Sequence, residues 1–167
     1  MRRIYLIRHA KSSWNHPGLA DFDRPLNKRG KRDAPLMGRK LAELGCKPDR
    51  IFSSPAARAL TTAKSIAEAI GYPVGDVDAN HSIYAASVNE LIKLISNLSG
   101  DFREVVLVGH NPEMTGLSNH LTDEYIDNVP TCGIIHIELA IDEWHEIGRR
   151  SGTQLFFITP KMLTSDS

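Results

Sequence analysis

The sequence predicts an α/β protein, a three-layer α/β/α sandwich with a mostly parallel central sheet. Extended apolar runs alternate with helical patterns over the first two thirds of the chain, an order that places helices on both faces of a parallel sheet. The clearest strand is "REVVLVGHNP" at residues 103–112, a continuous apolar run stopped by Gly109. Such runs belong to strands buried on both faces. With 167 residues, the chain fits one domain spanning 1–167 with a substantial core.

The elements follow in order. Ile4 to Ile7 read as a first strand that runs directly into Arg8 and His9. A polar loop, "KSSWNHPGLADFDRPLN", covers residues 11–27, and a segment of that length without regular structure often carries function. Asn27 caps a helix in which Leu36, Met37, Leu41 and Leu44 share a face, with Gly45 as terminator and Pro35 obscuring its start. "DRIFSS" is a second strand. Pro55 then opens a helix with Leu60, Ala63, Ile66, Ala67 and Ile70 in phase, ending at Gly71. A short extended piece is expected near residues 74–77. Ser87 and Glu90 form a capping box for a helix carrying Leu91, Leu94, Ile95 and Leu98. A helix follows over about 112–121. "GIIHIELA", "EWHEIG" and "TQLFFIT" then read as successive strands, including antiparallel ones at a sheet edge.

Composition narrows the function classes. Apolar residues make up 41% and charged residues 24%, ordinary for a folded chain, and twenty basic residues balance twenty acidic ones. Net charge therefore offers no reason to expect nucleic-acid or membrane partners. Cys46 and Cys132 form no CxxC pattern and are expected as free buried thiols. The apolar run in "MRRIYLIRH" is too short for a signal peptide, so the expected location is the cytoplasm. Neither a G-x-x-x-x-G-K-[ST] nor a G-x-G-x-x-G cradle is present, and His16, His81, His120, His136 and His145 lack metal-ligand spacing.

In open parallel sheets, ligands bind beyond the carboxyl ends of the strands. Arg8 and His9 follow one strand, residues 53–58 a second and residues 109–111 a third. One rim should thus gather two histidines and two arginines, His9, His110, Arg8 and Arg58. Taken alone, each has a blander reading as a surface charge or a structural histidine; together they make an anion site. Arginine forks match phosphate oxygens, helix N-termini near Pro55 and Pro112 add dipoles of the right sign, and a neutral imidazole can attack phosphorus.

"LIRHAKSSWN", "SSPAARALTTA" and "VGHNP" resemble the three signature segments of the histidine phosphatase superfamily, also called phosphoglycerate mutase-like. The short length and "DRPLNKRG" at residues 23–30 are most similar to its small phosphohistidine phosphatases of the SixA type. The resemblance implies His9 as the nucleophile that becomes phosphorylated, and Arg8, Arg58 and His110 as the groups gripping the phosphoryl oxygens. It further implies Asn15 as a phosphate contact and Arg24 as a residue near the pocket. No metal or other cofactor is implied, because arginines supply the positive charge.

A general acid is harder to place. Lys11 stands where mutases of the family often carry Glu, and Ala10 replaces the usual Gly. Asp76, Asp78, Glu90, His81 and Tyr84 are weak candidates, Glu90 being better explained by its cap. An alkoxide leaving group gains about 10²–10⁴-fold from a positioned acid, whereas an imidazole protonated on its other nitrogen leaves with less help. The expected substrate is therefore a phosphohistidine on a protein. The alternatives are a small phosphate monoester, or a phosphate- or partner-binding module without turnover.

Overall fold

A computed structural model describes residues 1–164. Its six strands are β1 (Arg2–Arg8), β2 (Arg50–Ser53), β3 (Asp78–Ala79), β4 (Glu104–Gly109), β5 (Ile134–Leu139) and β6 (Gly152–Ile158). Five helices accompany them: α1 (Lys28–Glu43), α2 (Ala57–Ile70), α3 (Val88–Ser96), α4 (Glu113–Leu121) and α5 (Pro160–Thr164). The sheet order is β3-β2-β4-β1-β5-β6. The first four run parallel, and β5 pairs antiparallel with both β1 and β6. The expected mostly parallel sheet with an antiparallel edge is what forms.

β1 lies between β4 and β5, which explains why Ile4 to Ile7 are apolar on both faces. Ile4 and Leu6 pack with Leu91, Ile95, Met114 and Leu117 of α3 and α4. Tyr5 and Ile7 point the other way, onto Met37, Leu41, Ala63 and Ile66 of α1 and α2. Two apolar layers thus enclose the sheet, and each side chain from Ile4 to Ile7 sits in one of them.

The caps are those the sequence predicts. The Asn27 side chain accepts from Gly30 N at the start of α1, which continues through Pro35, and Gly45 (φ 80°) follows its end. Gly71 (φ 78°) ends α2, and Ser87 and Glu90 bond reciprocally at α3. Two expectations fail. "EWHEIG" is no strand: Glu143 and Glu146 form a reciprocal cap on a 3₁₀ turn, Trp144–Glu146. That turn buries Trp144 and lets its indole N–H donate to Phe102 O at 2.8 Å. The extended piece near 74–77 is likewise a 3₁₀ turn, Val74–Asp76, and pairing starts only at Asp78, opposite Phe52.

Among the described residues, no helix is long and apolar enough to cross a membrane. Cys46 and Cys132 are both free and buried. Burial raises both thiols, Cys46 to about 12, so neither is a reactive thiolate.

Candidate active site

The carboxyl ends of β1, β2 and β4 converge on a cleft of about 430 Å³. Arg8, His9, Arg24, Arg58 and His110 all line it. Asn15 does not: it is exposed, its backbone N–H bonded to Ser13 Oγ at 3.1 Å. The neighbouring Trp14 stacks against the Arg24 guanidinium, 3.7 Å from ring centroid to Cζ.

His9 is fixed through its backbone. Its N–H donates to Gly109 O at 3.0 Å, the first bond past the β1–β4 ladder. From the other side Cys132, in left-handed backbone (φ 61°), directs its N–H at the carbonyls of both Arg8 and His9, each at 3.0 Å. The ring Nδ1 lies 2.7 Å from Ala10 O. A carbonyl only accepts, so Nδ1 carries the proton and Nε2 keeps its lone pair. Burial, aided by His110, Arg58 and Arg8, lowers the His9 pKa to about 3, and the ring is neutral near pH 7.

The next residues tie this strand end to the helices. Ala10 N–H donates to Thr62 Oγ1 at 3.0 Å, and that hydroxyl donates to Arg58 O at 2.7 Å, linking the nucleophile loop to the first turns of α2. Ala10 itself is fully buried. Gly30 sits against the loop so closely that a Cβ there would lie 2.1 Å from Lys11 O, which explains a glycine near the start of α1.

His110 follows β4. Its Nε2 lies 2.8 Å from Ser54 Oγ, which already accepts from Ala56 N–H at 3.2 Å. When the Ser54 hydroxyl donates to Nε2, Nδ1 carries the ring proton. Burial, with Arg58 next, lowers this histidine to about 4. Its ring centroid lies 5.2 Å from that of His9.

The arginines are anchored at one end and open at the other. Arg8 donates from Nη1 to Val129 O at 3.0 Å. Arg58 uses both ends of its fork on Asp21, Nη1 to the backbone O at 2.7 Å and Nη2 to Oδ2 at 3.0 Å. Arg8 Nε, Arg58 Nε and His110 Nδ1 are buried without a hydrogen-bond partner among the described residues. Buried donors are normally satisfied, so three unpartnered ones on residues that line the same cleft favour an anion there. Arg24 bonds Ser12 Oγ and reaches Asp21 Oδ1 at 3.2 and 3.3 Å.

The candidates for a general acid separate clearly. Tyr84 lines the cleft, but its hydroxyl donates to Asp21 Oδ2 at 2.8 Å and that bond raises its pKa, which makes it a poor proton source. His81 is exposed and stacked on Phe22, 5.7 Å between centroids. Glu90 serves its cap and lines a different cleft, while Asp76 and Asp78 lie outside the site. Two carboxylates that the sequence reading passed over do line it, Asp21 and Glu113. Glu113 Oε2 is buried without a hydrogen-bond partner among the described residues, on the first residue of α4 and three positions after His110. That spacing from His110 was the available signal.

Residues 4–80 match the family model of the histidine phosphatase superfamily (branch 1). The chain is 33% identical over 159 residues to an uncharacterized chloroplastic protein of Arabidopsis thaliana, covering 90% of this chain and 72% of that one. It is 33% identical over 124 residues to phosphoserine phosphatase 1 of Hydrogenobacter thermophilus, covering 70% of this chain and 56% of that one. Its structure resembles the putative phosphohistidine phosphatase SixA of Agrobacterium tumefaciens with a TM-score of 0.82 at 29% identity, covering 95% and 98% of the two chains. These likenesses support phosphatase activity, and with the cleft they lead to one assignment: the chain belongs to the histidine phosphatase superfamily and is SixA-like in its fold.

Proposed function

We propose that the protein is a phosphatase that works through a phosphohistidine on His9, and that its substrate is a phosphohistidine on a protein. The observation that carries this reading is the set of three buried, unpartnered nitrogens, Arg8 Nε, Arg58 Nε and His110 Nδ1, lining the cleft that holds a neutral His9. A phosphoryl group seated there meets fixed donors aimed at oxygens that gain charge in the transition state, where most phosphoryl-transfer catalysis lies. His9 Nε2 attacks phosphorus and the bond to the leaving nitrogen breaks. The departing imidazole leaves neutral when its other nitrogen carries a proton. Water then attacks the phosphorus of phosphohistidine 9, releasing phosphate and restoring the neutral ring. The chain's arginines supply the positive charge throughout.

A second reading is the hydrolysis of small phosphate monoesters. Glu113 favours it, since an unpartnered carboxyl group on a residue lining the cleft is what an alkoxide leaving group requires. The phosphoserine phosphatase of Hydrogenobacter thermophilus is a relative in keeping with it. A binding module without turnover fits less well, because Arg8, His9, Arg58 and His110 all line the one cleft.

A panel of a phosphohistidine peptide, an aryl phosphate and sugar phosphates separates the readings. The peptide should turn over fastest, and hydrolysis of sugar phosphates alone would replace the first substrate with the second. His9→Ala should lower turnover by at least about 10⁴-fold and remove acid-labile phosphate labelling while leaving the fold intact. Full activity in that variant would rule out the covalent mechanism.

A further inference from the structure

Asp21 joins three other side chains of the cleft, Arg24, Arg58 and Tyr84, and the phosphatase mechanism gives it no task. It comes from the 3₁₀ turn Asp21–Asp23, whose Phe22 packs edge-on against Tyr84 (5.2 Å, 88°). Its Oδ2 accepts from Arg58 Nη2 at 3.0 Å and from Tyr84 Oη at 2.8 Å. Its Oδ1 accepts from Arg24, and its backbone O from Arg58 Nη1. These donors hold it ionised, with a pKa near 2, so it cannot serve as the missing acid. What it does instead follows from whom it holds. Asp21 takes one N–H from each end of the Arg58 fork, which fixes the guanidinium and leaves the second N–H of each Nη, with the unpartnered Nε, for other contacts.

We infer that Asp21 is a positioning residue that fixes the Arg58 guanidinium at the cleft and, as a resident negative charge, weakens the hold of the cleft on orthophosphate so that product leaves. This rests on the reading that the cleft receives a phosphoryl group. A pocket with Arg8, Arg24 and Arg58 binds the product anion for the same reasons that it binds the substrate. Orthophosphate offers no leaving group whose departure relieves that attraction. A carboxylate paired with two of the three arginines, and fixed in place by a third donor, offsets part of their field at all pH values above its own titration. On Arg58 it takes only one N–H from each Nη, so it does so without using up the donors that the substrate needs.

The test is orthophosphate binding to the full chain at pH 7, by calorimetry and by product inhibition, with melting temperature as the fold control. Asp21→Asn keeps the shape and removes the charge; it should bind orthophosphate about tenfold more tightly and be inhibited by it correspondingly more strongly. Asp21→Ser should move the same way, and Asp21→Glu, which keeps the charge, should return toward wild type. A purely structural role predicts the opposite sign, because a loosened Arg58 would bind phosphate less well. Equal or weaker binding in Asp21→Asn overturns the inference while leaving the phosphatase reading standing, and so does loss of fold in both Asp21→Asn and Asp21→Ser. A wild-type protein that binds no orthophosphate overturns both.

Discussion

β1 carries an arginine at each end, and the two are built differently. Arg2, 3% exposed, gives Nε and Nη2 to Asp142 O at 2.9 and 2.6 Å and Nη1 to Gly100 O and Phe102 O at 2.9 and 2.6 Å. It also lies over the Trp144 ring and 3.5 Å from Glu143. Arg8, at the opposite end, makes one bond to Val129 O, keeps a buried Nε without partner, and has its pKa lowered by desolvation. The same residue on the same strand is a closed structural clamp at one end and an open donor at the other. A charge taken out of water without full compensation lowers stability and persists where a ligand completes it.

Making one substitution at both ends sharpens the contrast. Arg8→Met should cut kcat/KM by about 10³-fold, the scale of losing a donor to transition-state charge, while the melting temperature stays level or rises. Arg2→Met should do the reverse. Leaving the carbonyls of residues 100, 102 and 142 unmatched costs about 2–4 kcal/mol, a fall of about 8 °C in melting temperature, with kcat/KM close to wild type below the transition. If both variants lost stability and activity together, the division between the two ends would not exist.

A further contrast is in the pH dependence. His9 and His110 are lowered from 6.5 to about 3 and about 4, chiefly by burial. Their unfolded forms bind more protons between those values and 6.5, so their contribution to stability is complete above about pH 6.5 and is lost as pH falls toward 4 and then 3. Activity should follow a different course. Once the ionisation of the substrate is allowed for, kcat/KM should stay flat down to about pH 4, because the nucleophile is still neutral there. A limb near pH 6.5 belonging to the free enzyme would mean that His9 titrates as an ordinary exposed histidine.

The rim was legible because its chemistry interrupts a regular pattern. Arg8 and His9 break the apolar run of a buried strand, and His110 breaks another just after Gly109, so strand period and residue type point to the same place. Asp21 was not legible for the converse reason. It reaches the cleft from a loop with no period, through a short 3₁₀ turn, and its partners come from residues 24, 58 and 84. Asn15 illustrates the limit of a motif, since the Trp14–Arg24 stack lies beside it while Asn15 itself is exposed outside the cleft. The "EWHEIG" segment misled because one turn closed by two glutamates mimics an alternating strand over so few residues.

The place of β1 between β4 and β5 has a consequence in time. His9 is held by an amide bond to Gly109 and by the Cys132 amide, directly beyond the two ladders that flank the strand. Opening those bonds requires parting the middle of the sheet, so the amides from Ile4 to His9 belong with the slowest to exchange their hydrogens. The backbone that carries the nucleophile is therefore the fixed side of the cleft. Accommodation of a bulky substrate falls to the opposite wall, the segment of residues 11–27, whose isolated Ser12–Leu26 bridge is internal and whose Asp21 joins it to Arg58 and Tyr84.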